Sequence, residues 1–292
     1  MSLRIDTSPT IARPETGEGP ARSTLVAWFV GFAALVFVIP FVATELLEMH
    51  HDLYYLVYGS LVVLYLAVFL SRVATIWREF ARRNIGWSIA LGILVAVASV
   101  RNVLADDSTP HPEGAFFGFE LMWRGLFYGL IDALALFVFP ALVAYLFVRG
   151  DRRGFVRKVE FGALTLALTL IVTATYHLGY SQFRNLDLVN PEIGAVMMSV
   201  PAIVTGNPVG ALVAHSAVHI TAVAHEYEGA DPGYLPPNLN RYPDHWGGTL
   251  GWVLAALWMS MLASVVWISR LRLFGHTQRA SSPANRAKGA PA

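Results

Sequence analysis

EIGAVMMSVPAIVTGNPVGALVAHSAVHITAVAHE, residues 192–226, is the stretch whose reading fixes the architecture. Crossing a ~30 Å hydrocarbon core takes roughly 20 apolar residues, and this stretch is much longer. It is interrupted by Gly206-Asn207-Pro208, a helix breaker by propensity and because proline lacks an N–H. One kinked crossing and two helices folded back on each other both fit the apolar pattern. Outside it, apolar runs long enough to cross occur at about 24–44, 53–76, 86–104, 116–149, 157–181 and 248–270.

The basic residues choose between the two. Lys and Arg accumulate on the cytoplasmic side of membrane proteins. Here 17 of the 21 fall in four groups: Arg4, Arg13 and Arg22; Arg72, Arg78, Arg82 and Arg83; Arg149, Arg152, Arg153, Arg157 and Lys158; and Arg270, Arg272, Arg279, Arg286 and Lys288. Five crossings from an inner N-terminus leave residue 182 outside, and the last run must end inside at Arg270. The 192–226 stretch therefore begins and ends outside, as a hairpin turning at Gly206–Pro208. The expected fold is an all-α, polytopic transmembrane bundle of about eight helical passes, in the plasma membrane with both termini cytoplasmic. Its domain order is a disordered tail at 1–23, a helical domain at 24–271 and a second disordered tail at 272–292.

Composition agrees. The chain is 55% hydrophobic and only 14% charged, where a soluble domain carries about 25% charged residues, and its mean hydropathy is +0.51. A net charge of +1 lacks the concentrated basic face of a nucleic-acid binder; the expected partners are the bilayer and a membrane-embedded or exoplasmic peptide or small substrate. The absence of cysteine removes disulfides, thiol catalysis and Cys-ligated metal centres. The first residues are too long and partly acidic a lead-in for a cleavable signal peptide.

This topology puts eight of the nine histidines in outer loops or outer membrane halves, leaving His276 inside. Ionisable groups within a span are costly and usually face a cavity, a partner or a catalytic water. His215 and His219 lie four apart, so both imidazoles leave one helical face. That spacing suits metal ligation, polarisation of a substrate with proton shuttling, or plain hydrogen bonds tying the hairpin to its neighbours. His177, about 30 Å from Arg157 along its helix, and Asp132, about 26 Å from Arg149 along the preceding one, fall at similar depth. A contact between them is expected, with the carboxylate orienting the imidazole. Glu120 and Arg124 are one turn apart and read as an i, i+4 ion pair. Glu120 lies about 43 Å from Arg149 along a straight helix, so a break near Gly125 or Gly129, or strong tilt, is expected. Glu48, His50, His51 and Asp52 read as a solvated loop or helix cap, although Glu48-xx-His51 also has a di-iron ligand spacing.

On these residues the chain resembles the CAAX-protease and bacteriocin-processing family of intramembrane glutamic proteases. Glu120-Leu-Met-Trp-Arg124-Gly125 is similar to that family's first motif, His177 stands where its second-motif histidine would, and His215-xxx-His219 resembles the third, with His219 in place of the usual Asn. Phe119 replaces the first motif's leading Glu and Thr173 the second motif's Phe. The resemblance implies a water-activating carboxylate, Glu120 or with it in default Asp132, with His177 and His215 holding the water or oxyanion and Arg124 positioning the carboxylate.

The expected function is an intramembrane hydrolase, a peptidase with an outer-leaflet His/carboxylate site, or a degenerate relative without catalysis. A metal-dependent variant would use His177, His215 and His219 as ligands to zinc or iron; the glutamic variant needs no cofactor. A non-enzymatic carrier, or a metal- or haem-holding protein, is the alternative. The loop 227–247 is expected to fold over the mouth of the site. In this cysteine-free chain, Asp107→Cys should label from outside intact cells with an impermeant maleimide and Arg153→Cys only after permeabilisation; the reverse pattern would invert the topology.

Overall fold

The computed structural model describes residues 20–47, 49 and 51–227. Among these there are helices and no strands. Helix α1 (Arg22–Pro40) runs on through a π-helical turn, Phe41–Leu46; α2 is His51–Arg72, and a short helix α3 (Ala74–Arg82) leads into α4 (Ile85–Val103). A single 34-residue helix, α5 (Gly114–Phe147), is followed by α6 (Gly154–Leu178), α7 (Val189–Thr205) and α8 (Val209–His225). Among the described residues, six helices are long and apolar enough to cross a membrane; Val209–His225 is apolar but shorter. The 248–270 run, the 272–292 tail and the loop beyond Tyr227 lie outside the described residues. So does most of the 1–23 tail, whose last residues enter α1 at Arg22.

The apolar periodicity sorts these helices by what they face. Helix α5 is the hub: 83% of its most apolar window is buried, against 22–39% for the other five long helices. The outer helices turn Val30, Trp87, Leu94 and Val204 outward, as lipid-facing surfaces require, and send Phe32, Tyr58 and Phe161 into the core. Helix α5 is not broken at Gly125 or Gly129. It widens instead into two π-helical stretches, Leu121–Phe127 and Leu134–Val138, which flank the turn Tyr128–Ala133. The two glycines are notches for α8: a Cβ on Gly125 would press on the backbone of Ile220, and one on Gly129 on the His219 side chain.

The hairpin turn is built at Gly206–Pro208, where the sequence places it. Gly206 ends α7 in the left-handed region at φ 74°, a conformation with little penalty only for glycine. Asn207 then locks the turn. Its Oδ1 accepts from the Val209 N–H at 2.8 Å, and its Nδ2 donates to the carbonyls of Ala81 at 2.8 Å and Arg83 at 2.6 Å, the end of α3. The Asn84 amide caps Thr205 O at 2.8 Å. The Arg152 guanidinium packs against Gly206 and stacks over Phe161, and its burial, with Arg83 nearby, lowers its pKa from the ordinary value.

The turn therefore lies among Arg83 and Arg152, at the arginine-rich end of the bundle. Both arms traverse the bundle. His215 and His219 lie about 9 and 15 Å along a helix about 25 Å long. The pair is at mid-depth, deeper than the outer-leaflet position expected from sequence, because the hairpin is anchored by its cap at the far end.

Helices α4 and α8 touch backbone to backbone through Gly92, Gly210 and Ser88. A Cβ at Gly210 would meet the Ser88 carbonyl, which cannot rotate away, whereas a Cβ at Gly86 meets nothing within 4 Å. Overpacking of this kind costs about 1–3 kcal/mol. Gly210→Ala should lower the thermal midpoint in detergent by several degrees and Gly86→Ala leave it unchanged; equal midpoints would contradict this packing.

Candidate functional site

Each ionisable side chain of α5 is met by a neighbouring helix, and the result is two separate clusters. Nearer the start of α5, Arg124 makes an ion pair with Glu120 one turn away and approaches Asp52 of α2 at 3.7 Å. His51 lies 3.5 Å from Asp52, and Tyr227 stacks on the guanidinium at 4.8 Å. His51, Asp52, Glu120 and Arg124 are all buried. The expected solvated cap at the start of α2 is thus, for His51 and Asp52, part of a buried charge cluster, drawn in by the Arg124 cation. Glu48 and His50 lie outside the described residues.

Asp132 follows Glu120 by twelve residues, about 18 Å along α5. Its Oδ1 accepts from the Tyr58 hydroxyl at 2.8 Å and its Oδ2 lies 2.9 Å from His215 Nε2. His219 Nε2 is 3.1 Å from His215 Nε2 and 3.8 Å from Asp132 Oδ2. Three sequence features produce this. The i, i+4 spacing puts both imidazoles on one face of α8, Gly129 admits His219 to the surface of α5, and the π-helical stretches bracket the turn that aims Asp132 inward. Such wide turns often mark functional positions.

The expected Asp132–His177 contact is replaced. Asp132 is engaged by Tyr58 and His215, and His177 Nδ1–H donates to the Thr173 carbonyl at 2.8 Å. That bond leaves Nε2 of a neutral His177 as its basic nitrogen. The potential metal cluster at the two α8 imidazoles accordingly contains Asp132 rather than His177.

Asp132, His177, His215 and His219 line one cavity of about 440 Å³, walled by α4 to α8. It runs from Leu136 and Asp132 at mid-depth toward Asp106, Asn190 and Pro191, at the end opposite Arg83 and Arg152. Glu120 and Arg124 are not among its lining residues. The sequence reading missed its tyrosines. Tyr54 is hydrogen-bonded to Tyr176 and Tyr180, Tyr176 to Tyr180 at 2.8 Å and to Tyr128. The Tyr128 ring meets His219 edge-on at 5.2 Å. The signal was present as two i, i+4 pairs, Tyr54/Tyr58 and Tyr176/Tyr180, whose hydroxyls need partners once buried.

Compared with known protein families, curated proteins and solved structures, the chain matches none. The site therefore has to be judged on its own geometry. Tyr58→Phe removes the donor to Asp132 Oδ1 and leaves a buried carboxylate oxygen short of a bond, at a cost of about 1–3 kcal/mol. A lowered unfolding midpoint, read by circular dichroism in detergent, is the expected outcome; a wild-type midpoint would show that the bond carries no weight.

Proposed function

We propose that this multi-pass membrane protein is an intramembrane hydrolase, of the peptidase class, whose reaction takes place in the mid-depth cavity. The observation that carries the reading is the direct contact of Asp132, His215 and His219 at the wall of that cavity. A carboxylate and three imidazoles facing one space in an apolar bundle are costly, and hydrolysis is a use for them. It needs a group to take a proton from water, and donors to receive charge on the carbonyl oxygen.

Among the implied bases, Asp132 takes precedence over Glu120, because Asp132 lines the cavity and Glu120 is engaged with Arg124. His215 is held by Asp132 and can pass a proton to or from it. His177, with Nδ1 tied to Thr173, offers basic Nε2 within the same cavity. Arg124 serves as the counter-charge of Glu120 and Asp52. The likeness to the CAAX-protease and bacteriocin-processing family supports the reading in the order and helices of His177 and His215; in the position of the carboxylate this chain departs from it. A substrate would enter from the end carrying Asp106 and Asn190, the exoplasmic end if Lys and Arg gather inside.

The test is turnover by the full chain in lipid nanodiscs, on a panel of quenched fluorescent transmembrane peptides and ester substrates. Asp132→Asn and His215→Ala should each reduce kcat by about 10²-fold or more, with unfolding midpoints reported beside the rates, and Glu120→Gln should act chiefly on stability. Wild-type rates in Asp132→Asn and His215→Ala, or a wild-type protein inert across the panel, would overturn the proposal.

A further inference from the structure

The two buried clusters differ in one respect. In the upper one, the carboxylates of Asp52 and Glu120 gather around a built-in cation, Arg124. In the lower one, the Asp132 carboxylate faces a cavity whose described lining residues include no Lys or Arg. A carboxylate held in a low-dielectric interior needs compensating positive charge or several donors. Tyr58 supplies one donor, to Oδ1.

At Oδ2 the proton count falls short. His215 Nε2 lies 2.9 Å from Asp132 Oδ2 and 3.1 Å from His219 Nε2. If His215 carries its proton on Nε2, that single N–H must serve both neighbours, and a proton on His219 Nε2 would point at it. Three lone-pair-bearing atoms thus converge on one point. Bonds of about 2.0–2.1 Å from a tetrahedral metal ion place its ligand atoms roughly 3.3 Å apart. The observed separations of 2.9, 3.1 and 3.8 Å bracket that value.

We propose that Asp132 Oδ2, His215 Nε2 and His219 Nε2 bind a zinc ion, with the remaining coordination position open to the cavity. Two imidazoles and a carboxylate plus an open position is a donor set of catalytic rather than structural zinc. The surroundings fit a ligand set held in place: Tyr58 fixes the second carboxylate oxygen, and Gly129 lets His219 reach the site. With the ion bound, Asp132 and His215 would be ligands rather than base and proton relay; the ion would activate a bound water, and His177, on the cavity wall outside the cluster, would take its proton. The choice of zinc rests on the hydrolase reading; the convergence of the three donors does not.

Elemental analysis of full-length protein, purified from membranes with a non-histidine affinity tag and without chelators, tests this. One zinc per chain is expected. Protein stripped with a chelator should take up Co²⁺ with the intense visible bands of a tetrahedral site, and Zn²⁺ should abolish them. His219→Ala and the conservative Asp132→Asn should each lose the bands, His177→Ala should keep them, and Tyr58→Phe should weaken Zn²⁺ binding by about 10–100-fold. Stoichiometric iron in place of zinc, or a wild-type protein that neither retains zinc nor shows the Co²⁺ spectrum, would overturn the assignment. The two proposals fail separately. Metal-free protein that still hydrolyses peptides removes the zinc and leaves the hydrolase, and zinc-loaded protein inert on every substrate does the reverse.

Discussion

A carboxylate at mid-depth in an apolar bundle is the constraint that organises this structure. Asp132 sits on the most enclosed helix, 3% exposed, where an unpaired charge would cost several kcal/mol. Two helices answer it. Tyr58 comes from α2 to one carboxylate oxygen, and His215 and His219 come from α8 to the other. The placement of α8 serves this meeting: its glycine contacts with α4 and the notch at Gly129 let its backbone come close enough for the imidazoles to reach.

That reach depends on the far end of the same helix. The turn at Gly206–Pro208 is pinned by Asn207 to the carbonyls ending α3, and by Arg152 packed against Gly206. A turn fixed among the arginines sets the height of His215 and His219, since each residue of helix adds about 1.5 Å. Capping geometry at one end of the bundle thus determines the chemistry at its centre. The tyrosine network around Tyr176 completes the cavity wall with mutually satisfied hydroxyls, which keeps polar groups near the site without adding charge.

Much of this was legible in the residues. Within the described residues, apolar run lengths gave the spans to within a few residues, and the Gly-Asn-Pro interruption together with the arginine distribution gave the hairpin. Asp132, His215 and His219 stood out because ionisable groups inside spans are rare. Which of them meet was not legible. Helix-length arithmetic set Asp132 level with His177, yet depth says nothing about azimuth, and His177 bonds its own helix at Thr173. The expected break in α5 became two π-helical stretches, since local widening can re-aim side chains without sacrificing the helix. The burial of His51 and Asp52 was hidden because their partner, Arg124, is remote in sequence. The tyrosines did not stand out, since most of their hydrogen bonds join helices remote in sequence.

The central claim is that Asp132 and His215, far apart in sequence, are one electrostatic unit. A double-mutant cycle on unfolding free energy in detergent, with Asp132→Asn, His215→Gln and the pair, measures this most directly. The structure requires a coupling energy of about 1 kcal/mol or more, within the range for residues in one hydrogen-bond network. Effects that add to within about 0.3–0.5 kcal/mol, as they do for distant sites, would contradict it.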